Sequence, residues 1–206
     1  MSNLIAFDFD GVIADSCALN KQITSDICSN IAGAREVTDY DIEHLDGMSF
    51  HEIAKVIGVP ECLIDKCLAL IDRELINAYP ELKLFAGIAT TIKVLSDAGH
   101  QLAVVTNNTS MAVTCVLKKY DLFERFKDIL GAESPGSKMD KLMVLRSSTF
   151  DNCFMIGDSV GDIKSANSAD FISVAVSWGF QSIERLMLAD PDHVVNSPEE
   201  LCKLCL

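Results

Sequence analysis

The chain has 206 residues, which is long enough to bury a substantial core as one domain or as a domain with an insertion. Its formal net charge is −13 and its Lys and Arg residues form no cluster, so we expect neither nucleic acid nor an anionic membrane surface as a partner. Hydrophobic residues make up 49% of the chain, yet no apolar run approaches the roughly 20 residues of a membrane span.

The first residues lead directly into an apolar stretch, without the basic region of a signal peptide. Eight cysteines are scattered along the chain, mostly within apolar segments, where a free thiol behaves as a small hydrophobe. Cys202 and Cys205 form a CxxC pair, but no second pair stands at zinc spacing, which predicts a chance pair on a terminal helix. We therefore expect a protein of the reducing cytoplasm.

The first predicted strand starts at Leu4 and runs into two carboxylates, Asp8 and Asp10, before it breaks at Gly11. Burying two like charges at a strand end is costly unless a cation compensates them. A divalent cation with oxygen ligands, such as Mg²⁺, would do so. The alternative is a strand end whose two carboxylates are solvated.

Residues from about 15 to 85 show helical periodicity and no convincing strand. The pattern predicts helices near residues 16–31, 49–57 and 60–79. Ser49 and Glu52 fit a capping box, and Pro60 fits the first position of a helix.

From residue 88 onward, predicted helices and strands alternate, which is typical of a parallel sheet with helices on both faces. The helices are predicted at 88–98, 110–120, 139–147, 162–168, 182–188 and after 197, and the strands at 101–106, 128–130, 153–156, 171–176 and 193–195. We therefore predict an α/β fold, a doubly wound, Rossmann-like core of residues 1–14 and 86–206. A small all-helical unit, residues 15–85, is inserted after the first strand.

In such sheets the functional site lies beyond the carboxyl ends of the strands. Beside Asp8 and Asp10, these ends supply Thr106 with Asn107, Lys138 in a loop before a helix, and finally Asp158 and Asp162. Singly, the threonine could cap a turn, the lysine could be solvated, and Asp162 could favour a helix N-terminus. Their occurrence at successive strand ends instead indicates one site.

The set suits phosphoryl transfer. One carboxylate can attack phosphorus and form an aspartyl-phosphate, and a second can protonate the leaving group and later activate water. Mg²⁺ held by the acids can shield the repulsion between the two anions, while a hydroxyl, backbone amides and an ammonium can bind the phosphate oxygens.

These motifs resemble those of haloacid dehalogenase superfamily phosphatases. Residues 8–16 (DFDGVIADS) are similar to the first motif, 105–108 (VTNN) to the second, Lys138 to the third and 156–162 (IGDSVGD) to the fourth. The resemblance covers essentially the whole chain, since the helical unit lies where the family has a small helical cap.

The resemblance implies a role for each residue. Asp8 would be the nucleophile and Asp10 the acid/base, with its backbone carbonyl also facing the metal. The metal residues would be Asp8, Asp10, Asp158 and Asp162, the last directly or through water. Thr106, the Asn107 backbone and Lys138 would bind phosphate. Because Met139-Asp140 follows Lys138 in place of the family's frequent proline, Lys141 is a weaker alternative for the third motif.

Within the superfamily, the segments 174–180, 190–195 and 197–201 resemble phosphoglycolate phosphatases. Phe85-Ala86 where the family often has Pro, and Ser168-Ala169-Asp170 without the usual glycine, loosen that assignment. The expected partner is a small phosphorylated metabolite, with 2-phosphoglycolate as the first candidate. A phosphomutase of the β-phosphoglucomutase type and a catalytically silent phosphometabolite-binding module are the alternatives.

The segment 45–51 (LDGMSFH) lies between predicted helices of the inserted unit and is expected to reach the substrate. Its side chains are not strongly cationic, which favours a small or weakly charged leaving group. His44 and His51 are candidate substrate contacts, but isolated histidines are more often surface or core residues.

Overall fold

The computed structural model describes residues 2–206, which contain one six-stranded parallel sheet. Its strands are β1 (Leu4–Phe7), β2 (Gln101–Val105), β3 (Phe126–Leu130), β4 (Cys153–Gly157), β5 (Ile172–Val176) and β6 (His193–Val195). Their order is β3-β2-β1-β4-β5-β6, so β1 lies at the centre between β2 and β4. The strand order reverses at β1, and in doubly wound sheets the ligand crevice lies at such a switch point.

Helices cover both faces of this sheet. They are α5 (Ile88–Asp97), α6 (Ser110–Lys119), α7 (Lys138–Leu145), α8 (Val160–Ser168), α9 (Ile183–Leu186) and α10 (Pro198–Cys205). The fully buried side chains of β1 alternate between the faces: Ile5 and Phe7 join one apolar cluster, and Leu4 and Ala6 the other. The predicted α/β fold is therefore confirmed.

Between β1 and α5 the chain forms four helices, which we call the helical insert. They are α1 (Cys17–Ala32), α2 (Asp39–His44), α3 (Phe50–Val56) and α4 (Glu61–Ala78). The chain leaves and re-enters the core side by side, because Ala14 pairs with Leu84 and the Asp15 N–H donates to the Lys83 carbonyl at 3.0 Å. The domain boundaries at residues 15 and 85 stay a prediction.

Three of these helices match the predicted ones, whereas α2 escaped the sequence analysis. Only Asp41 and Ile42 of its six residues are buried, so it has no periodic apolar stripe. It is instead fixed at its start by a capping box between Thr38 and Asp41. The capping box of Ser49 and Glu52 is confirmed. The position predicted for Pro60 was wrong, because Pro60 is the N-cap residue of α4 and the helix starts at Glu61.

Some element ends in the core also differ from the predicted ones. Strand β3 begins at Phe126, two residues before the predicted start, with the Phe126 side chain buried. Helix α8 begins at Val160 because Ser159 caps it, so Asp162 is its third residue, not its first. The predicted helix at 182–188 is a short α9 followed by a 3₁₀ turn, Met187–Ala189.

All eight cysteines are free within residues 2–206, and Cys202 and Cys205 lie on α10, the terminal helix predicted for this pair. Of the helices in this described part of the chain, none combines the length and apolar character needed to cross a bilayer.

Candidate active site

Three carboxylates converge beyond the carboxyl ends of β1 and β4. Oxygens of Asp8, Asp158 and Asp162 all lie within 4.8 Å of one another, and all three residues are buried. Asp8 directly follows β1, Asp158 directly follows β4, and Asp162 is brought back to them by the first turn of α8. The sequence analysis predicted this grouping from the strand ends, and the structure brings the three side chains together.

Lys138 joins these acids from the start of α7. Its Nζ lies 3.0 Å from Oδ2 of Asp8 and 2.5 Å from Oδ1 of Asp162, and its side chain is only 8% exposed. A capping box between Ser137 and Asp140 fixes the helix start that presents the lysine. The third-motif lysine therefore touches the expected nucleophile.

Lys141, the weaker alternative for the third motif, lies one turn further along α7 and contacts main-chain carbonyls, not the carboxylates. Its buried Nζ donates to the carbonyl of Gly131 at 2.6 Å and to that of Thr106 at 3.4 Å. Since both contacts are to main-chain carbonyls, Lys141 supports the loops under the site.

The charges of this group do not balance. Burial raises the pKa of Asp8 to about 7, although the Lys138 ammonium opposes the shift. Burial, together with the carboxylates of Asp162 and Asp8, raises the pKa of Asp158 well above its usual value. Burial alone would lower the pKa of Lys138, but Asp162 and Asp8 more than offset it and raise that pKa. Three carboxylates and one ammonium leave two negative charges uncompensated when all are ionised.

The donor set fits a divalent hard cation. All candidate ligands are carboxylate oxygens, which Mg²⁺ prefers, and an ion of charge +2 would match the two uncompensated charges. Asp162 has a structural duty as well, because its Oδ2 accepts from the N–H groups of Asp158 and Ser159 at 3.2 and 3.1 Å. The loop is close-packed here: Gly11 has φ +79°, and a Cβ on it would collide with the Asp158 carboxylate.

The Asp10 side chain lies outside that three-carboxylate cluster and is held by four donors. Its Oδ1 accepts from Ser16 Oγ at 2.5 Å, Asn20 Nδ2 at 3.1 Å and the Tyr79 hydroxyl at 2.7 Å. Its Oδ2 accepts from Asn108 Nδ2 at 2.8 Å. Sequence reasoning missed these donors as a group, because residues 16, 20, 79 and 108 share no local pattern and meet only in the fold.

The predicted phosphate-binding residues flank the nucleophile at the end of β2. The buried Thr106 Oγ1 accepts from the Asn108 N–H at 3.1 Å, which leaves its own hydrogen free to donate. The Asn107 side chain reaches the other way, and its Nδ2 donates to the Gly47 carbonyl of the helical insert at 2.7 Å. The Asn107 side chain thus links the core to the helical insert by a hydrogen bond.

A cavity that opens to solvent connects Asp8 and Asp10 to the helical insert. Met48 and Phe50, from the segment predicted to reach the substrate, line it, and Met48 has a φ of +47°. One face of α1 also lines it, through Cys17, Asn20, Lys21 and Thr24. That face was not predicted, although the spacing i, i+3, i+4, i+7 places these residues on one side of a helix.

The segment before Met48 is bound to the core. The Gly161 N–H donates to the Asp46 carbonyl at 2.7 Å, and Gln181 Nε2 donates to the Leu45 carbonyl at 2.6 Å. His44 is exposed, with its ring stacked 3.9 Å from that of Tyr40, and His51 lies half-buried at an opening between insert and core. Neither histidine lines the cavity next to Asp8.

Comparison with known proteins agrees with this architecture. The chain is 28% identical to a phosphoglycolate phosphatase of Vibrio vulnificus, over 98% of the chain and 96% of that protein. It is 26% identical to one of Synechococcus elongatus, over 96% and 94% of the two chains. A predicted phosphatase of Clostridium acetobutylicum has the same fold, with a TM-score of 0.84, 23% identity, and 99% and 98% of the two chains covered. Residues 5–176 match the profile of the haloacid dehalogenase-like hydrolases, and the chain belongs to that family.

Proposed function

We propose that the protein is a Mg²⁺-dependent phosphatase that hydrolyses small phosphomonoesters through an aspartyl-phosphate on Asp8. The observation that carries the proposal is the contact of Asp8 with Lys138 inside a buried three-carboxylate cluster, beside a cavity that also reaches Asp10. The curated relatives named phosphoglycolate phosphatases make 2-phosphoglycolate the first substrate to test.

In the first half-reaction, an Asp8 oxygen forms a bond to phosphorus as the bond to the ester oxygen breaks. Asp10 gives its proton to the departing oxygen, so the alcohol leaves neutral. Lys138, which contacts Asp8, and the free hydroxyl hydrogen of Thr106 would stabilise the charge on the phosphoryl oxygens. Asp8, Asp158 and Asp162 would hold Mg²⁺, which supplies shielding between the anionic nucleophile and the anionic phosphate.

In the second half-reaction, water attacks the phosphorus of the aspartyl-phosphate. Asp10 takes the proton of this water, and the bond between phosphorus and Asp8 breaks to release inorganic phosphate. Asp10 serves as acid and then as base, so its orientation has to be kept through both steps. The four donors around its carboxylate provide that orientation.

The test combines metal removal with trapping of the intermediate. Turnover of 4-nitrophenyl phosphate should fall to background in excess chelator and return when Mg²⁺ is added back. After rapid quenching, mass spectrometry should find phosphate on Asp8, and Asp8→Asn should remove both the adduct and the turnover. The matched control is Asp151→Asn, which changes an exposed acid outside the carboxylate cluster and should leave the protein active.

Full activity in excess chelator, or phosphate on another residue, would contradict the proposal. The two alternatives give different results in the same assays. A phosphomutase would convert a sugar 1-phosphate to the 6-phosphate with little free phosphate, and a silent binding module would bind phosphorylated metabolites but release no phosphate.

A further inference from the structure

The cavity beside Asp8 and Asp10 is where the alcohol part of a substrate must lie, because the group that protonates the leaving oxygen has to touch it. Its floor carries the acids of the core, and several walls are apolar, including Val37, Ile53 and Phe180. The polar side chains that line the cavity from the insert are Asn20, Lys21 and Thr24, which lie on the face of α1 turned towards the cavity. That face therefore decides which leaving groups the cavity accepts.

Thr24 on this face has an unused hydrogen-bonding group. The residue is 1% exposed, and its Oγ1 has no hydrogen-bond partner within residues 2–206. A buried hydroxyl without a partner costs about 1–3 kcal/mol. The Oγ1 is itself enclosed, so a ligand in the adjoining cavity removes that cost once the Thr24 side chain turns towards it. The neighbouring Asn20 differs, because its amide is already bound to Asp10 and to the Tyr79 hydroxyl.

Lys21 lies one turn before Thr24 and carries the only cationic side chain lining this cavity in the described part of the chain. It is paired with Asp39, whose side chain is 91% exposed at the protein surface. Exposed ion pairs contribute about 0–1 kcal/mol, so a ligand anion can take the place of Asp39 at little cost. A negative group on the substrate would meet acids elsewhere in the cavity and a cation only here.

We propose that Lys21 and Thr24 bind a carboxylate on the alcohol part of the substrate, so that the enzyme selects phosphate monoesters of short hydroxy acids. The inference rests on the proposed phosphatase function and narrows its substrate class. It departs from the expectation of a small or weakly charged leaving group, which considered residues 45–51 and not α1. Lys21 binds one carboxylate oxygen through a charge-assisted hydrogen bond, and the Thr24 hydroxyl donates to the other.

The experiment compares two esters of the same length. 2-Phosphoglycolate has a carboxylate where 2-hydroxyethyl phosphate has a neutral alcohol carbon, and 4-nitrophenyl phosphate reports general phosphatase activity. Lys21→Met should lower kcat/KM for 2-phosphoglycolate by about 10- to 100-fold, the effect of one charge-assisted hydrogen bond. The same variant should change kcat/KM for 2-hydroxyethyl phosphate by less than about threefold. Thr24→Val should act in the same selective direction with a smaller loss.

Lys55→Met is the matched control, because it removes the same charge from the helical insert at a lysine that does not line the cavity. Lys21→Arg should recover part of the activity on 2-phosphoglycolate. Thermal unfolding of each variant checks that the insert still folds.

Each result decides the inference. Equal losses on both esters, or no loss on 2-phosphoglycolate, would overturn it, as would a wild-type enzyme that prefers 2-hydroxyethyl phosphate. In those cases, turnover of 4-nitrophenyl phosphate would still support the proposed function. If the wild-type protein hydrolyses none of the three esters with Mg²⁺ present, the proposed function itself fails.

Discussion

Tyr79 illustrates how one distant residue completes the site. Its hydroxyl donates to Asp10 and accepts from Asn108 Nδ2 at 2.6 Å, while its ring is fully buried and lies 6.2 Å from that of Phe9. Burial, followed by the Asp10 carboxylate, raises the pKa of this tyrosine well above its usual value, so the phenol keeps its proton. It is therefore a permanent donor to the proposed acid/base.

We expect Tyr79→Phe to keep the ring packing and to loosen the orientation of Asp10. Turnover of alkyl phosphates, whose leaving group needs a proton, should fall by about tenfold, a fraction of the ~10²–10⁴ that general acid catalysis supplies. Turnover of 4-nitrophenyl phosphate should change much less, because that leaving group departs without protonation. Steady-state kinetics on both substrates measure the difference.

The matched control is Tyr120→Phe, which removes a hydroxyl that donates to the Leu82 carbonyl at 2.8 Å and does not contact Asp10. It should affect neither substrate selectively. Equal losses on both substrates in Tyr79→Phe would show that the hydroxyl has only a structural role.

At the scale of elements, α2 depends on its charges. Its buried Asp41 accepts two bonds of 2.7 Å from the Arg35 guanidinium and one of 2.9 Å from the Thr38 N–H. The Arg35 guanidinium, together with Thr38 and against the effect of burial, holds the pKa of Asp41 well below its usual value. A helix with so little apolar surface is therefore stabilised at its N-terminus by an ionised side chain.

We expect Asp41→Asn to lower the free energy of unfolding by about 1–2 kcal/mol at pH 7, because it replaces charge-assisted hydrogen bonds by neutral ones. A group whose folded pKa is depressed stabilises the protein above its unfolded pKa, about 3.9, and loses this effect as the pH falls through the folded value. The difference from wild type should therefore be constant between pH 8 and about 5 and shrink below about 4. Urea unfolding at several pH values measures it.

Glu61→Gln is the control, since the Glu61 carboxylate is 75% exposed and its ion pair with the Lys55 ammonium is long, at 3.4 Å. Its effect should stay below about 0.5 kcal/mol. A difference between Asp41→Asn and wild type that persists unchanged to pH 3 would contradict the assigned role of the charge.

The elements also show which features a sequence can predict. Strands β1 and β4 carry apolar runs that end in Asp8 and Asp158, so the parallel order of the sheet was sufficient to place these acids together. Helix α2 was missed because capping and ion pairing, not periodicity, fix it. The inner face of α1 has the right spacing, but only the tertiary fold shows that its polar side meets a cavity and not solvent.

At the scale of the whole molecule, the insert and the core meet through hydrogen bonds to main-chain carbonyls of the insert, which no local pattern encodes. The Asp46 carbonyl accepts from Gly161, the Gly47 carbonyl from Asn107 and the Leu45 carbonyl from Gln181. The Asp46 side chain adds ion pairs with Lys164 and Arg185, each at 2.6 Å, but it is itself about half exposed. Exposed pairs contribute little, so we attribute the docking of segment 42–47 chiefly to the hydrogen bonds that its main-chain carbonyls accept.

Gly161 tests this view because its two effects have opposite signs. It is the second residue of α8, and alanine stabilises a helix relative to glycine, by about 0.5–1 kcal/mol at interior positions. A Cβ there would, however, lie 2.5 Å from the Asp46 carbonyl oxygen and 3.1 Å from Gly47 Cα, so the insert has to move away. Gly161→Ala should thus leave the core at least as stable and separate the insert from it.

Closure of the helical insert over the site excludes water and completes the substrate contacts. Loss of this closure in Gly161→Ala should lower kcat/KM for small esters by about 10- to 100-fold. Hydrogen exchange should speed up at the amides of residues 42–47, while the amides of β1 and β4 stay protected. Lys164→Ala, which removes only an exposed ion pair with Asp46, should change kcat/KM by less than about threefold. If Gly161→Ala kept full turnover and protected amides, the main-chain contact would not hold the insert, and a larger effect of Lys164→Ala would assign that role to the ion pair.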